Sequence, residues 1–143
     1  MNPAEHAAPD LVLRRTGPWA ATASNGRGPD IPVSLAGAEG SYSPLELLQL
    51  ALAACEALSA DHRIAHALGP DAEVTTTVRS RTDAAENRLS AIEIEMAMDT
   101  RPLAPEKADR LAERVRAAVD RQCTVGRTLK AGVRTELSIV PSD

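Results

Sequence analysis

Cys55 and Cys123 are the only two thiols among the 143 residues of this chain, and each is tied to a helical pattern. Cys55 lies deep in the apolar run Ser43-Pro44-Leu45-Glu46-Leu47-Leu48-Gln49-Leu50-Ala51-Leu52-Ala53-Ala54-Cys55. Cys123 closes a second helical stretch in Arg121-Gln122-Cys123-Thr124-Val125-Gly126-Arg127-Thr128-Leu129. A thiolate attacks oxidants, its sulfenic acid is captured by a second thiol as a disulfide, and an external dithiol reopens that disulfide by exchange. Two cysteines this far apart in sequence form a tertiary pair if they meet, unlike a local Cys-x-x-Cys motif. The competing reading is that both are small buried hydrophobes. The residues alone do not say which sulfur would attack first.

The local setting of each thiol constrains the chemistry. Cys55 is expected mid-helix, where the macrodipole, felt mainly in the first turn, offers little. Its apolar neighbours disfavour the charged form. A reactive Cys55 therefore calls for a cation brought from elsewhere. Cys123 is placed to cap the short helix that follows it, where amide groups favour a thiolate. His62 and His66, at i and i+4, share a helical stripe with Cys55. His62 stands about 10 Å along the axis from Cys55, too far for both to bind one ion. With no third ligand at a suitable spacing, the pair reads as a solvated helix end and no metal site is expected.

The elements that must position these residues are legible from patterning. Asp10–Thr16, Trp19–Ser24 and Ile31–Leu35 read as short strands, separated by Gly17-Pro18 and by the Gly/Pro-rich connection Asn25–Asp30. The first helix has Ser43 as N-cap, Pro44 in the first turn and Glu46 completing a Ser-x-x-Glu capping box, with Gly69-Pro70 as the stop. From Pro44 to Cys55 it is apolar nearly all round, which implies burial on every side. Two alternating strands follow. Val74, Thr76, Val78 and Ser80 share one face, as do Ile92, Ile94, Met96 and Met98, joined through Asp83–Asn87. Pro105 opens a second helix with the stripe Ala108, Leu111, Ala112, Val115, Ala118 and Val119. A short helical turn after Cys123 is expected to stop near Gly132. Val133, Thr135, Leu137 and Ile139 then read as a last half-buried strand. Strands grouped before and between two helices indicate an α+β class.

Composition sets the outer limits. The length fits one domain, 1–143, with 1–10 a loose tail. Only Trp19 and Tyr42 are aromatic, so the core must be aliphatic, and such a small domain gains from burying more surface in an oligomer. A net charge of −4, without a dense Lys/Arg block, argues against a nucleic-acid partner. No apolar stretch approaches the ~20 residues of a membrane span, and the polar start lacks a secretory pattern, so a cytoplasmic protein with no membrane partner is expected. In that compartment a permanent structural disulfide is unusual, which favours metal binding or reversible catalysis.

Three blocks in register resemble the OsmC/Ohr family of thiol-dependent peroxidases, in particular its shorter OsmC-like branch. They are Asp30-Ile31-Pro32-Val33-Ser34-Leu35-Ala36-Gly37, the Ser43–Cys55 helix, and Cys123-Thr124-Val125-Gly126-Arg127-Thr128-Leu129. The resemblance implies an OsmC-like α+β fold: an antiparallel sheet packed on a long buried central helix plus a second helix. It also implies an intertwined homodimer with two active sites at the interface. Cys55 would be peroxidatic and Cys123 resolving, with no cofactor. The partners implied are a small-molecule hydroperoxide, an organic one given the Leu/Ala-rich surroundings, and an external dithiol reductant.

In that family an arginine held by a glutamate accompanies the reactive cysteine. Arg27, in the glycine-rich connection, is the arginine candidate, with a solvated loop arginine as the competing reading; Arg14 and Arg15 are lesser candidates. The family glutamate position is Leu45 here, and the acid is Glu46. Nine residues from Cys55, Glu46 falls on the opposite helix face and about 13 Å away along the axis. It could serve a cysteine on another chain, or merely cap its own helix. Thr124 stands where the family usually has proline. These departures keep open a non-enzymatic OsmC-like binding or stress-associated protein with vestigial thiols. A thiol-based redox sensor acting through a partner is a third reading.

Overall fold

The computed structural model describes residues 10–142, and the expected loose tail lies, apart from Asp10, outside the described residues. Eight elements follow in order: β1 (Val12–Gly17), β2 (Ala20–Ser24), β3 (Ile31–Ser34), α1 (Pro44–Leu68), β4 (Val74–Asp83), β5 (Arg88–Met98), α2 (Pro105–Gln122) and α3 (Thr124–Ala131). The class is α+β, with two antiparallel sheets and three helices. The chain divides into two compact units, the first ending at Leu48 and the second starting at Gln49, so that the division falls inside α1.

In the first unit β1, β2 and β3 form a sheet in chain order. β2 is the central strand, pairing Thr22 with Arg14 on one side and with Pro32 on the other. The glycine-rich connection is held by two side chains, Ser24 Oγ accepting from the Gly26 amide at 3.2 Å and Asn25 taking two more amides. Asn25 Oδ1 accepts from the amides of Arg27 at 2.9 Å and Gly28 at 3.1 Å. Gly26 sits between Asn25 and Arg27 at φ 72°, a left-handed conformation that favours glycine. The start of α1 is closed by its reciprocal box: the Ser43 amide donates to Glu46 Oε2 at 2.7 Å, and the Glu46 amide donates to Ser43 Oγ at 3.1 Å.

In the second unit the β4–β5 hairpin pairs Val74 with Met98, Thr76 with Met96, Val78 with Ile94 and Ser80 with Ile92. The two alternating patterns therefore share one face. The opposite face carries Arg79 and Arg81 against Glu95 and Glu93, joined as exposed ion pairs that add little stability. Ile94, Met96 and Met98 of β5 face Ala108, Leu111, Ala112, Val115 and Val119 of α2 across a pocket of about 480 Å³. The core is Leu52, Ala53, Ala60 and Ile64 of α1, Leu111 and Ala118 of α2, and Cys123. At its far end α1 stops where the Gly69 amide donates to the Ala65 carbonyl at 2.9 Å, with Gly69 at φ 97°.

Two expectations differ from the structure. Residues 132–142 form neither strand nor helix, and Leu137 and Ile139 are almost fully exposed. The alternation of this segment selects a face, but a strand also needs hydrogen bonds to a neighbouring edge, and the segment pairs with neither sheet. The apolar run of α1 is likewise covered on one side only. Leu45, Leu48, Leu50 and Leu58 remain 38–74% exposed, because a hydrophobic pattern states what must be covered and not which chain covers it.

Candidate active site

Cys123 occupies the single residue between α2 and α3. It is the C-cap of α2, its amide donating to the Val119 carbonyl at 3.0 Å, and the N-cap of α3. Its φ and ψ of −74° and 94° break the helical course, so α3 starts with its first amides turned outward. Cys123 Sγ accepts one of them, from Gly126, at 3.3 Å. That approach depends on glycine: a Cβ on Gly126 would lie 3.2 Å from Cys123 Sγ and 3.5 Å from Leu52 Cδ1.

The amides of Val125 and Thr124 instead face Cys55, half-buried in the middle of α1. The two thiols influence each other's ionisation, and no disulfide joins them. The Cys55 thiol is held below the usual thiol range, chiefly by the Val125 amide and further by Cys123, the Thr124 amide and Ser59, against the opposing effect of burial. Ser59 lies one turn on. Its hydroxyl donates to the Cys55 carbonyl at 2.6 Å and is also within reach of the sulfur, so its one proton serves one or the other.

Cys123 is 2% exposed. Burial pushes its thiol up, the Gly126 amide opposes this, and the charge that Cys55 and Glu56 carry pushes it further up. Glu56 is itself raised by burial, with Lys130 opposing and Asp120 adding to the rise. The expectation that the capping position favours a thiolate at Cys123 is therefore corrected, because removal from water outweighs one amide. No cation is among the groups that lower the Cys55 pKa. The dipoles that lower its pKa belong to α3, not to its own helix, and the signal for them was the Thr124-Val125-Gly126 sequence directly after Cys123.

The Glu46 carboxylate is engaged with the Ser43 amide at the start of its own helix. Arg27 is exposed in the β2–β3 connection, where its amide is held by Asn25, and Arg14 and Arg15 are exposed on β1. His62 and His66 are exposed on α1. Among the described residues no group of three or more His, Cys, Asp or Glu side chains could hold a metal ion. No helix among them is long and apolar enough to cross a membrane.

One thiol in the middle of a helix and one between two helices, both facing the first amides of α3, make an arrangement that can be compared with known proteins. The family model described as OsmC-like protein matches residues 37–138. The chain belongs to the OsmC-like family. Uncharacterized proteins of Mycobacterium tuberculosis and Mycobacterium bovis are 35% identical to it over 130 residues, covering 91% of this chain and 95% of theirs. An OsmC-like protein from Mycoplasma pneumoniae superposes with a TM-score of 0.63 at 18% identity, over 88% of this chain and 89% of that one. The organic hydroperoxide resistance protein OhrB of Bacillus subtilis gives a TM-score of 0.54 at 21% identity, over 85% and 92%. These two likenesses, both below 25% identity, concern the OsmC-like fold alone.

Proposed function

We propose that this protein is a cofactor-free thiol peroxidase that reduces organic hydroperoxides, with Cys55 as the attacking sulfur and Cys123 as the resolving one. The observation that carries the reading is the placement of Cys55 against the Thr124 and Val125 amides with Cys123 beside it. The Cys55 thiolate attacks the terminal peroxide oxygen; the O–O bond breaks, the alkoxide leaves and takes a proton to become an alcohol, and Cys55 becomes a sulfenic acid. The Cys123 sulfur then attacks Cys55 Sγ and expels the oxygen as water, forming a disulfide. An external dithiol restores both thiols by exchange and is itself oxidised. Cys123 keeps its proton until the charge on Cys55 is consumed, which orders the two steps.

The apolar surface of α1 and of the C-terminal segment supports a homodimer. Leu48, Leu50 and Leu58 of α1, with Leu137, Ile139 and Val140, are left to solvent in a single chain and would be covered by a second copy. Stopped-flow reduction of cumene hydroperoxide by wild type and by Cys55→Ser tests the proposal. Turnover is expected in the first and background in the second, and equal rates in both would refute it.

The capped state of Glu46 favours a second reading, a non-enzymatic family member, because this carboxylate already has a partner on its own helix. That reading predicts a Cys55 pKa at the unperturbed ~8.5 and no turnover.

A further inference from the structure

We propose that the groove between the C-terminal half of α1 and the outer face of α2 binds a small anion carrying two or more phosphate groups. The groove encloses about 700 Å³, within the range of small-molecule sites. From α1 it is lined by His62, Arg63 and His66. From α2 it is lined by Lys107, Arg110, Arg114 and Arg121, over a floor that includes the buried Leu111. Five formal positive charges and two imidazoles thus converge on one cavity, with no carboxylate in its lining, in a chain whose net charge is −4.

The acidic residues of α2 do not neutralise this set. Glu106, Asp109, Glu113 and Asp120 lie outside the lining, and none of the five cations is in an ion pair among the described residues. Arg110 and Arg114 stand one turn apart on the same helix, a like-charge spacing that destabilises an isolated helix. Folding therefore concentrates mutually repelling groups in a cavity with no carboxylate in its lining, and a ligand with several negative charges would offset them. Three of the five are guanidiniums on one helix stripe, and guanidinium forks match phosphate oxygens in a bidentate manner. The acidic remainder of the protein opposes a long nucleic acid or an anionic membrane, so a compact polyphosphate is the class that fits.

Calorimetric titration of the full chain with inorganic tripolyphosphate, ADP and orthophosphate tests this. Tripolyphosphate and ADP are expected to bind saturably at one site per chain, more weakly as salt rises, and orthophosphate much less well. Equal affinity for tripolyphosphate and ADP supports recognition of the phosphates alone, and tighter ADP binding supports added nucleoside contacts. The double substitution Arg110→Ala/Arg114→Ala should weaken both by about tenfold or more, as loss of charge-assisted hydrogen bonds does. Arg63→Gln on the opposite wall serves as the check if that variant fails to fold, and should weaken both ligands as well. Absence of saturable binding, affinities unchanged by the substitutions, or orthophosphate binding as tightly as tripolyphosphate would overturn the proposal. So would retention on single-stranded DNA or anionic vesicles that tripolyphosphate does not displace.

Discussion

The middle of α1 and the junction of α2 with α3 hold chemically identical groups and treat them in opposite ways. Cys55, half-buried, receives amides from Val125 and Thr124 and is held below the usual thiol range. Cys123, nearly inaccessible, keeps only the Gly126 amide and is pushed above it. The difference shows that a helix terminus does not act through sequence adjacency. The first amides of α3 stabilise charge on a sulfur from another helix more than on the sulfur of their own N-cap, because the cap is also the more buried position.

The largest expected effect tests the division of labour that follows. Cys55→Ser should abolish reaction with hydroperoxide, whereas Cys123→Ser should retain a single turnover and then stall as a sulfenic acid. Mass spectrometry after one equivalent of oxidant, with dimedone as a sulfenate trap, distinguishes the two. A Cys123→Ser protein that cycles normally with dithiol, or a sulfenate found on Cys123 of the Cys55→Ser protein, would reverse the assignment.

Next in size is the packing that holds α1 against α3. Leu52 is 8% exposed, three residues before Cys55 in sequence, and its Cδ1 is the neighbour a Gly126 Cβ would meet. Leu52→Ala should cost about 2–5 kcal/mol in chemical denaturation, the range for a buried leucine truncation. It should also reduce the contrast between the two thiols by loosening the amides from Cys55. A cost below that range would mean that the site collapses around the cavity.

The contrast was only partly legible in the sequence, and the reason is one of range. Capping is local: Ser43, Pro44, Glu46 and Gly69 bound α1 because each acts within a few residues, and the structure places the helix at Pro44–Leu68. Alternation is also local, so the shared face of Val74, Thr76 and Val78 and that of Ile94, Met96 and Met98 could be read in advance, and the hairpin register joins the two. The amide partners of Cys55 could not, since they come from an element far along the chain. The segment after Gly132 failed for a related reason: its alternation was visible, but no periodicity within it names the edge it would pair with. At Glu46 two roles were open in the sequence, and the hydrogen bonds place the carboxylate at its own helix cap.

A smaller effect is expected at Gly126. Alanine is ordinarily the better helix residue, by ~1 kcal/mol. Here its Cβ would press on Cys123 Sγ at 3.2 Å, tighter than ordinary packing allows. Gly126→Ala should therefore fail to stabilise the protein and should lose about 1–3 kcal/mol through overpacking. The same variant should slow disulfide formation after the first turnover, as Cys123 is displaced from its amide. A raised melting temperature with unchanged resolution kinetics would count against the close approach.

The pH dependence of stability sharpens the comparison further, because the two thiols act with opposite sign. The folded-state pKa of Cys55 is lowered, so its contribution is complete above the unfolded thiol value and is lost as pH falls through the folded one. That of Cys123 is raised, so its contribution is complete below the unfolded value and is lost as pH rises through the folded one. In wild type the two oppose each other across the alkaline thiol range. Cys123→Ser leaves only Cys55, and its unfolding free energy should then rise with pH over that range relative to wild type. Denaturant titrations at a series of pH values check the slope, and a flat or inverted difference would mean that Cys55 is not the thiol stabilised as an anion.

The finest expected effect lies in the single proton of Ser59. If it stays on the Cys55 carbonyl at 2.6 Å, Ser59→Ala leaves the thiol unchanged. If it turns to the thiolate once Cys55 ionises, the variant loses one hydrogen bond to charge, and the Cys55 pKa should rise. The second outcome is expected, since a charged acceptor draws the hydroxyl more strongly than a helical carbonyl that already has a partner. Iodoacetamide alkylation of Cys55 as a function of pH, measured in the Cys123→Ser background, reads the midpoint directly. Its shift upward in Ser59→Ala, with the midpoint of the parent still below the ordinary thiol value, would show that the pocket reorganises its one mobile donor around the charge, and no shift would assign the whole asymmetry to the fixed amides of α3.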